Sequence, residues 1–255
     1  IRQGYEEIVL TGIHLGKWGE DLSPRKKLVD LLKSIEGLLS SFKKPFHLRL
    51  SSLEVKEIDK EFLEFLSSSQ FIVPHFHIPL QSGSNRILKL MGRNYTKEEY
   101  LATLEKLYSL FPDATFGADV MVGFPTETEE DFEETYNTIS ASPLNWLHIF
   151  TFSPRPGTKA WDMKPKVSPE EAKSRYQTLK SLFLKKRKAF LMRQRGKVVS
   201  AVLEKVESTG WRALSENYIT LTVKGLPEDP ELKGKLVKVR LSELSEEFGF
   251  LSYPV

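Results

Sequence analysis

Five histidines, His14, His47, His75, His77 and His148, are the side chains best suited to proton transfer or metal binding. His75 and His77 sit two apart in the alternating segment HFHIPL (75–80), so both imidazoles leave the same side of one strand. Two such histidines begin a metal site, but the spacing implies no third ligand, and there is no cysteine in the 255 residues. No metal site is therefore expected in this chain. Ser82, in LQSGS, lacks the G-x-S-x-G setting of a hydrolase nucleophile. Arg155 lies between two prolines in SPRPGT, where a stiff loop would present a guanidinium to a carboxylate or phosphate. Asp119 is an acid inside the apolar run ATFGADVMVGF (114–124), which suits a polar task, and Glu127 can feed the dipole of the helix that follows it.

The elements that must position these groups alternate. EIVLTGI (7–13), FHLRLSS (46–52), HFHIPL, ATFGADVMVGF and NWLHIFTFS (145–153) read as strands, with helical periodicity over about 25–42, 59–69, 96–110 and from 128 onward. Thr96 with Glu99 and Thr128 with Asp131 have the spacing of capping boxes. Strands alternating with helices predict a parallel sheet with helical crossovers. There is neither a Gly-x-Gly-x-x-Gly nor a Walker pattern, so a barrel or partial barrel is the better match than a Rossmann or P-loop fold. All five strand ends are polar and rich in small residues or proline, as a shared ligand-binding rim would be.

Ser168-Pro169-Glu170-Glu171 opens a long helix holding KKRK at 185–188. After Gly196 the pattern turns to β-branched alternation, which predicts a small β-barrel. The expected organisation is an α/β partial barrel over 1–166, a basic linker helix over 167–195 and an OB-like β-domain over 196–255. Charge divides the same way: residues 1–158 hold 17 Lys/Arg against 22 Asp/Glu, and residues 159–255 hold 20 against 12. The basic half suits an anionic partner. No apolar run is long enough to span a bilayer, and the first residues lack a signal-peptide pattern, so no membrane partner and a cytoplasmic location are expected.

The segments LQSGSNRILKLMGRNYT, VMVGFPTETEEDFEET and FSPRPGT, in that order and spacing, resemble the radical S-adenosylmethionine methylthiotransferases. TGIHLG, RLSSLEV, LHIFTFSPRPGT and SENYITLTV most resemble the MtaB-type branch, which modifies threonylcarbamoyladenosine next to the anticodon of tRNA. The resemblance implies a radical-SAM partial (β/α) barrel followed by a TRAM-like RNA-binding domain. It implies S-adenosylmethionine and two 4Fe–4S clusters as cofactors, with tRNA, a reducing electron donor and a sulfur donor as partners. By position it assigns Thr11, Gly12, His14, Gln81, Ser82, Gly83, Val122, Gly123, Phe124, Phe152, Ser153 and Arg155 to the cofactor, and leaves Asp119 as a candidate catalytic group. The candidates for RNA, since basic side chains contact phosphates and aromatics stack on unpaired bases, are Lys185, Lys186, Arg187, Lys188, Arg193 and Arg195 on the linker helix, and Trp211, Arg212, Tyr218, Lys238 and Arg240 in the β-domain, with Trp211 and Tyr218 equally readable as core.

The chain departs from the family pattern in having no cysteine. The family's first strand, its C-x3-C-x2-C loop and its N-terminal domain have no counterpart in the sequence. The expectation is a fragment of an enzyme that is inactive alone and ligates neither cluster. The rival readings are a methylthiotransferase acting on an aspartate of a ribosomal protein, and a non-catalytic RNA-binding relative.

Overall fold

The computed structural model describes residues 1–245 and 249–255. In chain order the elements are β1 (Glu7–Leu10), α1 (Leu28–Ser40), β2 (His47–Leu50), α2 (Lys60–Ser68), β3 (His75–His77), α3 (Asn85–Leu90), α4 (Lys97–Leu110), β4 (Thr115–Val122), α5 (Glu129–Ala141), β5 (Trp146–Thr151), α6 (Lys159–Asp162) and α7 (Pro169–Gln194). Five strands then follow: β6 (Val198–Glu207), β7 (Gly210–Ser215), β8 (Thr220–Val223), β9 (Leu236–Leu244) and β10 (Phe250–Pro254). The class is α/β with a separate β-domain, as the alternation predicts.

The first five strands run parallel in sequence order. β1 pairs with β2, and β3, β4 and β5 form a second ladder. A bridge between Leu48 and Ile72 joins the two ladders. Alternation along β4 sends Phe116, Ala118, Val120 and Val122 under the helices, where they are fully buried. Thr115, Gly117, Asp119 and Met121 face the other, concave side. The helices start where their caps demand: Thr96 Oγ1 accepts from Glu99 N–H, and Thr128 Oγ1 does the same for Asp131 N–H.

The β-domain is a closed five-stranded barrel of order β10-β8-β7-β6-β9, with Trp211, Phe250, Leu221 and Val239 in its core. α7 serves both units. Leu179 and Leu182 join the core of the parallel sheet, and Phe190 and Leu191 join that of the β-barrel.

Between β7 and β8 the chain turns through Ser215–Ile219 and docks at the amino ends of the parallel strands. Four successive carbonyls of this turn accept side-chain hydrogen bonds from outside the β-domain. Arg49 donates to Ser215 O and Glu216 O, both at 3.1 Å, Thr115 Oγ1 to Asn217 O at 2.6 Å, and Arg187 to Tyr218 O at 3.3 Å. The Tyr218 ring stacks on His75, with centroids 4.0 Å apart and planes at 10°. It meets Trp146 edge-on and carries Arg49 over its face. The β-domain thus forms the floor of the partial barrel.

Candidate functional site

Above that floor, three side chains of adjacent strands converge on the concave face. The register opposes Asp119 of β4 to His148 of β5, and His77 of β3 to Gly117 of β4. Asp119 Oδ1 lies 3.2 Å from His77 Nε2 and 3.3 Å from His148 Nδ1. A Cβ at position 117 would come within 2.7 Å of His77 Nδ1, so the glycine makes room for the imidazole to lie across β4. Trp146 Nε1 is 3.1 Å from His148 Nε2 and can only donate, so that imidazole nitrogen accepts and its proton sits on Nδ1, toward Asp119. The result is a directed chain, Trp146 to His148 to Asp119, with His77 closing it from the other side. Burial raises the carboxyl's proton affinity, but the contacts from His77 and then His148 outweigh it and hold Asp119 below its usual range.

The three ligand atoms lie within 4.8 Å of one another, close enough for one cation. A cation on His148 Nδ1 would force the proton to Nε2, against the Trp146 N–H. The structure also corrects the expected histidine pair: His75 is taken by Tyr218, and the partners of His77 are Asp119 and His148. Burial, with Arg49 nearby, pushes His75 down to about 3, so it is a neutral stacking ring.

The turn after β3 differs from its expected role. Ser82 is fully buried, its hydroxyl 3.2 Å from Thr135 Oγ1 on α5, and Gly83 N–H donates to the same Thr135 oxygen. A Cβ on Gly83 would lie 2.6 Å from the Thr135 backbone. Ser84 donates to Asp131 Oδ1 at 2.6 Å, and Asp131 also accepts Thr128 N–H and pairs with Arg86. These small residues seat a helix, so Ser82 and Gly83 have no free surface for a cofactor. Val122 and Phe124 are likewise buried, Phe124 against Phe152. Gln81, with its backbone at φ +64°, stays partly open, and Thr11, Gly12, His14, Ser153 and Arg155 stand exposed on the loops at the strand ends.

Gly123 and Phe152 line a cavity of about 710 Å³ together with Trp161, Lys166, Ala172 and Tyr176. It lies between the ends of β4 and β5 and the start of α7. Glu127, expected to serve the helix dipole, holds this corner. Its carboxylate accepts Gly123 N–H at 2.7 Å and pairs with buried Arg175 at 2.8 Å.

Among the residues expected on RNA, Lys185, Lys188, Arg193, Arg195, Arg212, Lys238 and Arg240 are exposed. Three are not available. Trp211 is a core residue whose indole N–H donates to Pro227 O. Arg187 is 2% exposed, packed over Trp146 and Phe190, and burial lowers it to about 10. Tyr218 is the floor described above. Lys186 is half-buried, donating to Ser140 O and Ser142 O at the end of α5. Sequence reasoning missed Tyr253, which is exposed and paired in register with Arg240, itself opposite exposed Val198.

The model of the Radical SAM superfamily matches residues 1–139, more than half of the chain. The chain belongs to the radical SAM superfamily. It is 43% identical over 240 residues to the threonylcarbamoyladenosine tRNA methylthiotransferase MtaB of Aquifex aeolicus, covering 93% of this chain and 55% of the relative. It is 37% identical over 246 residues to the MtaB of Bacillus subtilis, covering 93% and 52%. It is 38% identical over 218 residues to the tRNA-2-methylthio-N(6)-dimethylallyladenosine synthase of Thermotoga petrophila, covering 82% and 46%. The chain spans about half the length of these relatives.

Radical SAM proteins use S-adenosylmethionine and a 4Fe–4S cluster held by cysteine thiolates. The donor set here does not fit a cluster, because none of the 255 residues is a cysteine. For S-adenosylmethionine, the open strand ends and the apolar wall of Phe152, Trp161 and Tyr176 offer surface to a planar ring and an amino-acid tail. No helix among the described residues is long and apolar enough to cross a membrane.

Proposed function

We propose that this chain is the barrel and RNA-binding part of a tRNA methylthiotransferase acting on threonylcarbamoyladenosine beside the anticodon, in the cytoplasm. The observation that carries the reading is the 43% identity to such an enzyme over 93% of the chain. Tyr253, Arg240 and Lys238 on the β-domain, with Arg193 and Arg195 on the linker, would hold phosphates and an unpaired base. The concave face would receive the target base, while Gln81 and the exposed strand-end loops would hold S-adenosylmethionine. That cofactor supplies a radical that activates an unreactive C–H bond. The reading needs a one-electron reductant, a sulfur donor and cluster ligands, none of which these residues provide.

The alternative substrate, a protein aspartate, is disfavoured by the relatives described above, which are all named for modification of tRNA adenosines. The absence of cysteine favours, for these residues alone, RNA binding without turnover. The test is the nucleoside profile of tRNA from a strain lacking the gene. Loss of the 2-methylthio nucleoside with accumulation of threonylcarbamoyladenosine is expected. An unchanged profile would overturn the reading, and an unchanged profile with salt-sensitive tRNA binding would favour the non-catalytic role.

A further inference from the structure

Asp119 presents its two oxygens differently. Oδ1 faces both imidazoles, while Oδ2 makes no hydrogen bond among the described residues. The side chain is 27% exposed on the concave face. Beside it along β5 stand His148, with both ring nitrogens already engaged, and Phe150, half-exposed and edge-on to His148. The wall is therefore one anionic acceptor flanked by flat, apolar ring surface. Such a wall matches a planar ligand that offers an N–H at its edge. The carboxylate cannot easily turn away, because two imidazoles hold Oδ1 and the Trp146 N–H keeps the His148 proton on the nitrogen facing it. The lowered proton affinity of Asp119 keeps Oδ2 an acceptor at neutral pH.

We propose that Asp119 Oδ2 accepts the exocyclic N–H of a purine base drawn onto the concave face, with Phe150 as the ring surface beside it. Asp119 is then a specificity-determining residue, and Trp146 a positioning residue that acts through His148. The inference rests on the reading of an N6-substituted adenosine as substrate. Threonylcarbamoyl and dimethylallyl substituents each leave one hydrogen on N6, so Asp119 reads what these bases share. The N6 substituent itself is discriminated elsewhere.

The test uses this chain and two synthetic anticodon hairpins, carrying either N6-methyladenosine, with one N6 hydrogen, or N6,N6-dimethyladenosine, with none, 3′ of the anticodon. A hydrogen bond to a charged acceptor makes the first bind about tenfold or more tighter. In Asp119→Ala the ratio should fall toward one, and in Asp119→Asn to an intermediate value. In Trp146→Phe the ratio should shrink as the ¹⁵N signals of His148 show its proton leaving Nδ1. A ratio near one in the unmodified chain with firm hairpin binding, or a ratio unchanged in Asp119→Ala, overturns the inference alone. Failure to bind either hairpin better than an unrelated hairpin overturns the RNA reading and the inference with it.

Discussion

Replacing Tyr218 probes whether the β-domain is the floor of the barrel. Its ring makes a stack on His75, an edge contact with Trp146 and a cation–π contact with Arg49. Each aromatic pair is worth about 0.5–1.5 kcal/mol beyond area burial. Aromatic-to-alanine changes in cores cost about 3–5 kcal/mol, and because Tyr218 is only half-buried Tyr218→Ala should cost about 3 kcal/mol. The phenol hydroxyl has no hydrogen-bond partner among the described residues, so Tyr218→Phe should cost less than about 0.5 kcal/mol. Backbone conformation adds a third point. Tyr218 sits at φ +59°, a region that strains alanine as well as tyrosine. Tyr218→Gly relieves that strain and should be more stable than Tyr218→Ala by about 1 kcal/mol. Urea unfolding followed by tryptophan fluorescence reads all three, with Trp18 and Trp161 replaced by phenylalanine so that Trp146 reports the floor and Trp211 the β-barrel core. The unmodified chain should unfold in one transition, and the alanine variant should separate the two signals. An alanine variant within about 0.5 kcal/mol of the parent, with glycine no better, would mean that the turn is not seated on the floor in solution.

Below pH 6.5 the unfolded chain takes up a proton on His75 that the folded chain, with its value near 3, does not. That residue's contribution falls by about 1.4 kcal/mol per pH unit as pH drops from 6.5, and His75→Phe, which keeps a ring against Tyr218, should flatten this part of a stability–pH curve. Asp131→Asn removes charge-assisted bonds from Arg86, Ser84 and Thr128 and should cost about 2 kcal/mol at neutral pH. Asp131 is depressed below its ordinary 3.8, so its contribution is present above that value and lost as pH falls below it, and parent and variant should converge in acid urea melts. On the β-domain, Lys238→Ala with Arg240→Ala should reduce the slope of log affinity for tRNA against log salt by about 1.5. Tyr253→Ala should weaken binding by about 1–3 kcal/mol, whereas Trp211→Ala should lower stability rather than affinity.

The order of strands and helices was legible because periodicity and caps are local. Thr96 and Thr128 open their helices by bonds to residues three positions on, and no distant contact is needed. The site was legible only in part. Alternation put His75 and His77 on one side of β3, but which neighbours they meet depends on cross-strand register and on the docking of another domain. Hence the partners Asp119, His148 and Tyr218 could not be read. Small residues gave the opposite error. Ser82 and Gly83 have the types of a ligand-binding turn, and the same types let α5 approach the backbone closely. Aromatic residues in a basic β-domain were ambiguous for a related reason. Trp211 and Tyr253 have similar chemistry, and only barrel closure turns one inward and leaves the other beside Arg240.

The distribution of charge separates affinity from selection. The exposed cations proposed for RNA lie on and just after α7 and on the outer faces of β7 and β9, where they can engage any phosphate backbone regardless of sequence. The concave face carries the reverse sign at Asp119, whose Oδ2 makes no hydrogen bond among the described residues. A base edge that offers an N–H finds an acceptor there. The two effects are also mechanically joined, because the domain bearing the cations supplies Tyr218, which supports Trp146, which sets the proton on His148. Loosening the β-domain should thus lower discrimination between hairpins as well as affinity, whereas neutralising its surface cations should lower affinity and leave discrimination intact.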